Sequence, residues 1–183
     1  MKKAACFTFL LLTVFSLFSQ KGKIYSTNTG IIQFKSDAPF EMIKAASKEM
    51  AGLIDTEKKT YAFKIKIQSF KGFNGDLQKV HFNENYLQSN LYPDATFSGK
   101  IIEDIDFTKD GEHSVRAKGK LAVHGVAQER IIKTDLIIKQ GKIFAKSAFT
   151  VLLADHNIPI PKVVKDKLAN EIKVDVSTQL VPR

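Results

Sequence analysis

Most of the chain alternates between apolar and polar side chains with a period of two residues, as strands with one buried face do. The alternation is clearest in residues 61–67, whose apolar side chains are Tyr61, Phe63, Ile65 and Ile67. It recurs in residues 97–102, 115–123, 132–138, 143–153 and 172–180. Turn signals at residues 55–59, 109–111 and 140–141 separate these runs, and Gly111 is expected to take a positive φ angle. The pattern predicts about eight antiparallel strands in an all-β barrel or sandwich.

Four segments depart from this alternation, and three of them are predicted to form short helices that connect or cap the strands. Residues 23–36 are predicted to contain one or two short strands interrupted near Asn28, and residues 39–50 are predicted to form a short helix. That helix is predicted to begin at Pro39, because N–H groups in the first turn of a helix have no intrahelical partner and the missing N–H of proline costs nothing there. Its apolar face includes Phe40 and Ile43. It is expected to cap one end of a barrel.

Two further helices are predicted close to strand ends. The first occupies part of residues 76–91 and must end before Tyr92, because Pro93 biases that residue toward an extended conformation. The second follows an extended connection at residues 155–161 and covers residues 162–169, with Val163, Val164 and Leu168 packed on the barrel mouth.

The N-terminus carries the pattern of a secretory signal peptide. Lys2 and Lys3 precede an apolar run at residues 4–18, which is shorter than the roughly 20 residues of a membrane-spanning helix. Cleavage is expected after Ser19, so that residues 20–183 form the mature domain and the protein is periplasmic or secreted. Cys6 is the one cysteine of the sequence and leaves with the signal, so stability must come from packing without disulfides.

The remaining chain fits one domain, because no internal repeat, low-complexity tract or linker divides it. Its formal net charge of +9 falls by two when Lys2 and Lys3 are removed. Most lysines of the strands lie opposite the apolar positions, which indicates a solvated outer face. Nucleic-acid binding is not expected, because basic and aromatic side chains occupy opposite faces. Peripheral contact with an anionic membrane is left open.

Catalytic and cofactor chemistry have little support in the sequence. The four histidines, His81, His113, His124 and His156, lack metal-ligand spacing, and nucleophile-elbow, phosphate-loop and dinucleotide motifs are absent. Glu103, Asp104 and Asp106 surround a predicted turn, where solvated carboxylates are ordinary. We therefore expect no enzyme activity, no cofactor and no bound metal.

Two motifs resemble a known family. Residues 81–97 begin with His81-Phe82, continue through a short helix and end in Tyr92-Pro93 before Thr96-Phe97, and residues 121–126 contain His124-Gly125. Both are similar to motifs of the bacterial YceI-like family, and residues 160–164 are similar to its Bacteroidetes-type members. The resemblance implies an eight-stranded lipocalin-like barrel with short capping helices, in a family associated with polyisoprenoid chains and quinone tails. It assigns structural roles to His81, Tyr92, Pro93, His124 and Gly125. His124 is expected to cap a turn or to be buried and hydrogen-bonded, and His81 to tie its helix to the barrel.

The inward-facing side chains are the candidate binding site for a long apolar lipid or isoprenoid. These are Phe34, Phe63, Ile65, Phe97, Ile101, Ala117, Gly119, Leu121, Ala145, Ser147, Phe149 and Val151. Small residues in mid-strand leave volume for a ligand, although packed cores normally close such space by interdigitation. Packing alone favours a filled barrel, and the resemblance favours a carrier. The alternative is a plugged barrel that acts in envelope stress or through its outer surface.

Overall fold

A computed structural model describes residues 24–183, which form a closed antiparallel barrel of eight strands. The predicted signal peptide at residues 1–19 lies outside the described residues. The strands are β1 Ile24–Asp37, β2 Met42–Asp55, β3 Thr60–Lys66, β4 Asp94–Ile101, β5 Gly111–Val123, β6 Val126–Lys139, β7 Lys142–Leu152 and β8 Glu171–Pro182. Each strand pairs with its neighbour in sequence, and β8 pairs with β1 to close the sheet. The predicted all-β, eight-stranded barrel is confirmed.

The helix predicted over residues 39–50 is wrong, because residues 42–50 belong to strand β2. The register of β1 against β2 shifts on both sides of the pair Gly30–Met50. An extra residue in β2 places both Ser47 and Met50 on the buried face, so the period-two signal breaks as it does at a β-bulge. The matching irregularity in β1 lies at the predicted interruption, and β1 remains one strand.

The two ends of the barrel differ in how their connections cover it. One end, here called the closed end, carries the β2–β3 turn, the β6–β7 turn and the β4–β5 loop at residues 102–110. Phe107 from that loop is buried in the core with Tyr25 and Leu180, and Lys59 forms an ion pair with Asp104 at 2.6 Å. Gly111 begins β5 and does not take the predicted positive φ angle.

The opposite end, here called the mouth, carries longer connections. Helix α1 at Asp76–His81 continues into a π-helical turn at Phe82–Tyr86, which confirms a short helix before Pro93. Residues 162–169 do not form the predicted helix, since only Lys162–Val164 makes a 3-10 turn. Val163 is 88 % exposed, because a single turn cannot direct both Val163 and Val164 toward the barrel.

Side chains close the barrel wall where β6 and β7 separate near the mouth. The ladder between these strands begins at the pair Thr134–Ser147 and continues only toward the closed end. Above it, Arg130 donates to the carbonyl of Thr150 at 2.8 Å, and Gln128 donates to the carbonyl of Asp155 at 2.6 Å. These bonds satisfy backbone groups that strand pairing leaves free.

Candidate functional site

The barrel interior contains two adjoining cavities. The inner cavity has a volume of about 120 Å³, and the outer one, toward the mouth, has about 610 Å³. They share five lining residues, Ile32, Ile65, Ala95, Leu121 and Phe149, and therefore lie end to end along the barrel. The larger volume falls within the range of about 300–1,000 Å³ typical of small-molecule sites. The interior is thus not completely filled by side chains.

Eleven of the twelve predicted interior residues line these cavities. The inner wall includes Phe63, Phe97, Ile101, Ala117, Ala145 and Ser147. The outer wall includes Phe34 and Val151, and Ile65, Leu121 and Phe149 belong to both. Alternation along the strands therefore places these side chains on one surface, with its apolar character set mainly by Phe, Ile, Leu and Val.

Gly119 is the predicted interior residue that does not line a cavity. A Cβ atom built at Gly119 would overlap the backbone carbonyl of Ser98 and lie 2.6 Å from the hydroxyl oxygen of Tyr61, so this glycine makes room for strand β4 and the tyrosine rather than for a ligand. Tyr61 itself lines the inner cavity, and its hydroxyl has no hydrogen-bond partner among residues 24–183. Burial raises the pKa of Tyr61 above its ordinary range.

An aromatic cluster at the outer cavity was missed by the sequence analysis. The ring of Phe82 stacks on Phe34 with 5.3 Å between centroids, and lies 5.0 Å from Phe73 and 5.8 Å from Phe70. All four rings line the outer cavity. Phe82 lies in the segment where a helix was predicted, but Phe70 and Phe73 lie in an irregular segment where periodicity gives no direction. The cluster packs the 67–93 connection against β1.

Polar side chains surround the outer cavity near the mouth. Gln78 of α1 donates to Glu41 at 2.8 Å and thereby joins the β1–β2 and β3–β4 connections. Burial, together with the charge of Glu41, raises the pKa of Tyr86. Lys167 and Asn74 also line the cavity. An apolar interior with polar groups at its opening suits a ligand that has a long apolar portion and a more polar end.

The two sequence motifs meet at the mouth. The ring of Tyr92 contacts the imidazole of His124 edge-on, and Gly125 lies under the same ring. His124 has a φ angle of 51° and hydrogen-bonds to the carbonyl of His156 and to Gln88. It is therefore a turn histidine, as expected. The side chain of His81 lines the outer cavity and makes no side-chain hydrogen bond or ion pair within residues 24–183, so its role in tying α1 to the barrel stays a prediction.

The acidic residues of the β4–β5 loop lie at the closed end, away from both cavities. The backbone N–H of Arg116, followed by its guanidinium, lowers the pKa of Glu103. The hydroxyl and amide of Thr108, together with Lys109, lower the pKa of Asp106 to about 2. Both are ionised carboxylates held by local hydrogen bonds; Asp106 is exposed and Glu103 is half-buried.

Among residues 24–183, no three His, Cys, Asp or Glu side chains lie close enough to hold a metal ion. No helix in the same range has the length and apolar character needed to cross a membrane.

Nearly the whole described part of the chain matches a known family. The model of the YceI-like domain matches residues 23–180. The chain belongs to the YceI-like family. The resemblance of the two sequence motifs is thereby confirmed, and the Tyr92–His124 contact shows how the motifs of this YceI-like chain come together. The comparison with curated proteins finds no match.

Solved structures share the barrel of this YceI-like chain at low identity. A polyisoprenoid binding domain from Saccharophagus degradans, implicated in plant cell wall breakdown, has a TM-score of 0.74 at 14 % identity, covering 89 % of this chain and 100 % of that one. BcnA of Burkholderia cenocepacia has a TM-score of 0.68 at 14 % identity, covering 82 % and 95 %. The Campylobacter jejuni YCEI protein has a TM-score of 0.56 at 15 % identity, covering 100 % and 99 %. At these identities the similarity shows the fold.

Proposed function

We propose that the protein is an exported carrier that holds a long apolar molecule of the isoprenoid class inside its barrel. The observation that carries this proposal is the outer cavity of about 610 Å³, which continues into an inner apolar cavity. Each ligand CH₂ buried there contributes up to about 0.8 kcal/mol. The similar Saccharophagus domain is described as polyisoprenoid-binding, which agrees with a ligand of this chemistry.

The cavity favours the carrier over the alternative of a filled barrel that acts through its outer surface. A filled barrel needs the mid-strand residues Ala117, Ala145 and Ser147 to be covered by larger side chains from the opposite wall. Instead all three border the inner cavity. A binding protein, rather than an enzyme, is part of the same proposal.

Export is supported by the signal-peptide pattern of residues 1–19. A carrier in the cell envelope would move its cargo between membranes through water. Peripheral contact with a bilayer belongs to the proposal, because such a cargo dissolves in membranes rather than in water.

Uptake of polyprenols of increasing chain length tests the proposal. Purified protein is incubated with each polyprenol without detergent, separated from the free lipid, and examined by native mass spectrometry. The proposal predicts one polyprenol per chain and a loss of binding beyond the length that the two cavities accommodate. Absence of uptake at every length, by protein with a native circular dichroism spectrum, would refute the carrier.

A further inference from the structure

The most exposed large apolar side chains of the described residues lie on connections at the mouth. Val163 is 88 % exposed, Phe40 78 %, Leu91 71 % and Leu77 68 %. They come from four separate places in the sequence: the β7–β8 connection, the β1–β2 connection, and two parts of the β3–β4 connection. Single exposed apolar residues are ordinary on protein surfaces. Their concentration at the end that opens the cavity is what requires an explanation.

Three of these side chains belong to segments that are joined to one another. The amide of Phe40 donates to the carbonyl of Asp166, three residues from Val163, at 3.0 Å. Glu41, next to Phe40, accepts a hydrogen bond from Gln78, next to Leu77. Leu77 also lines the outer cavity. The exposed apolar side chains are therefore held around the opening of the cavity by a hydrogen-bonded frame.

The charge around Val163 is positive. Lys162, Lys165 and Lys167 lie within four residues of it, and Asp166 is the one acidic residue of the 162–169 segment. Lys167 lines the outer cavity as well. An apolar side chain flanked by lysines, as Val163 is, is typical of surfaces that lie in the headgroup region of a membrane, whereas Phe40 and Leu77 stand beside the acidic residues Glu41 and Asp76. Each lysine near an anionic surface contributes about 1 kcal/mol of attraction.

We propose that the mouth face, formed by Phe40, Leu77 and Val163 with Lys162, Lys165 and Lys167, docks on a bilayer that contains anionic lipids. The inference rests on the proposed function, because it explains how an apolar cargo enters the cavity without crossing water. Docking there places the opening of the cavity against the acyl chains. A second copy of the chain fits this face less well, since two copies would bring the same lysines together.

Sedimentation with phospholipid vesicles tests the docking. The purified protein is mixed with vesicles of phosphatidylcholine alone or with phosphatidylglycerol added, and the bound fraction is measured. The proposal predicts binding to the anionic vesicles that weakens as salt shortens the Debye length from about 30 Å at 0.01 M to about 3 Å at 1 M. No association with anionic vesicles at low salt overturns it.

Substitutions locate the contact. The double variant Phe40→Ser with Val163→Ser is expected to bind anionic vesicles about tenfold more weakly or worse, since each change removes an inserted apolar side chain. The control is Ile131→Ser, which removes a side chain that is 58 % exposed on the outer wall of β6. An equal loss in the control overturns the assignment to the mouth. The proposal is also overturned if the wild-type protein does not bind vesicles, forms a dimer in light scattering, and loses that dimer in the double variant.

Tryptophan fluorescence gives an independent readout, because the sequence contains no tryptophan. Phe40→Trp is expected to shift its emission to shorter wavelength when anionic vesicles are added, and Ile102→Trp at the closed end is expected not to. A shift at position 102 but not at position 40 contradicts the proposal. Polyprenol uptake by the same variants in solution separates the two proposals. If the protein takes up polyprenol but does not bind vesicles, only the docking proposal fails. If it binds vesicles but takes up no polyprenol, only the carrier proposal fails.

Discussion

The ring of Tyr92 lies edge-on against the imidazole of His124, with 4.8 Å between ring centroids and 76° between ring planes. The hydrogen bond from His124 Nδ1 to the carbonyl of His156 is 3.0 Å long. Three connections of the mouth, β3–β4, β5–β6 and β7–β8, therefore meet at this pair. The two family motifs are far apart in sequence, and each supplies one half of this junction.

Gly125 provides a test of the junction with an internal control. His124-Gly125 and Gln140-Gly141 are both two-residue hairpin turns with two positive φ angles, 51° and 73° in the first and 51° and 69° in the second. A Cβ atom at Gly125 would overlap the ring of Tyr92, whereas at Gly141 it would meet no described atom within 4 Å. Gly141→Ala is expected to lower the free energy of unfolding by about 1 kcal/mol through backbone strain alone.

Gly125→Ala is expected to cost at least about 1 kcal/mol more, because overlap with Tyr92 adds to the same strain. Urea unfolding of both variants measures the difference. In a Tyr92→Ala background the two glycine substitutions are expected to become nearly equal. Equal costs in the wild-type background would show that the Tyr92 ring does not press on this turn.

Ala95 lies where the two cavities adjoin and is a position at which the interior can be blocked. Ala95→Phe is expected to abolish polyprenol uptake and to lower the free energy of unfolding by about 1–3 kcal/mol, the usual cost of overpacking. Ala62→Phe is the matched control, because Ala62 is exposed on the outer face of β3. Native mass spectrometry after incubation with the polyprenol measures uptake by both variants. Full uptake by Ala95→Phe would place the ligand outside the barrel.

Phe82 joins the α1 segment to the barrel through three phenylalanine rings. Phe82→Ala is expected to lower the free energy of unfolding by about 2 kcal/mol, less than the 3–5 kcal/mol of a fully buried phenylalanine, because Phe82 is half-buried. Hydrogen exchange in residues 76–92 and ligand release should both accelerate. Val80→Ala changes an exposed residue of the same helix and is expected to leave both rates unchanged. Unchanged exchange in Phe82→Ala would argue against this segment as a cover of the cavity.

The raised pKa of Tyr61 predicts a specific loss of stability at alkaline pH. Burial raises the pKa of Tyr61 in the folded protein, whereas the unfolded chain releases this proton at about pH 10. The free energy of unfolding is therefore not reduced by Tyr61 below that pH. It falls as the pH rises from there through the folded-state pKa, because the folded protein keeps a proton that the unfolded chain has released. Urea unfolding between about pH 9 and pH 11 should show wild type losing stability relative to Tyr61→Phe. Parallel curves for the two proteins would indicate that Tyr61 ionises freely in the folded state.

The sequence predicted the strands well where alternation was unbroken. From β3 to β8, one buried face follows the apolar positions, and many of them line the cavities, whereas Ile138, Ile143 and Leu180 pack in the core. It failed at β2, where the bulge beside Met50 interrupts the alternation and where alanine, lysine, glutamate and methionine have good helix propensity. Pairing with both β1 and β3 overrides that local preference.

The interior was predicted less completely than the fold. Phe70 and Phe73 come from an irregular connection, so their direction depends on the bridge between Ala46 and Lys71 that anchors it. Gly119 was taken as empty space because a sequence cannot show that Tyr61, on another strand, reaches across to cover it. Long-range packing decided each of these positions, and a single sequence carries no direct signal of it.

Native mass spectrometry of the protein, purified without detergent from its own host, is the most direct test of the carrier. Organic extraction of the same sample identifies any bound lipid. The account predicts a stoichiometric apolar adduct of the isoprenoid class, which Ala95→Phe lacks and Ala62→Phe retains. A clean apo mass, together with no uptake of added quinone or polyprenol, would contradict the account and direct attention to protein partners.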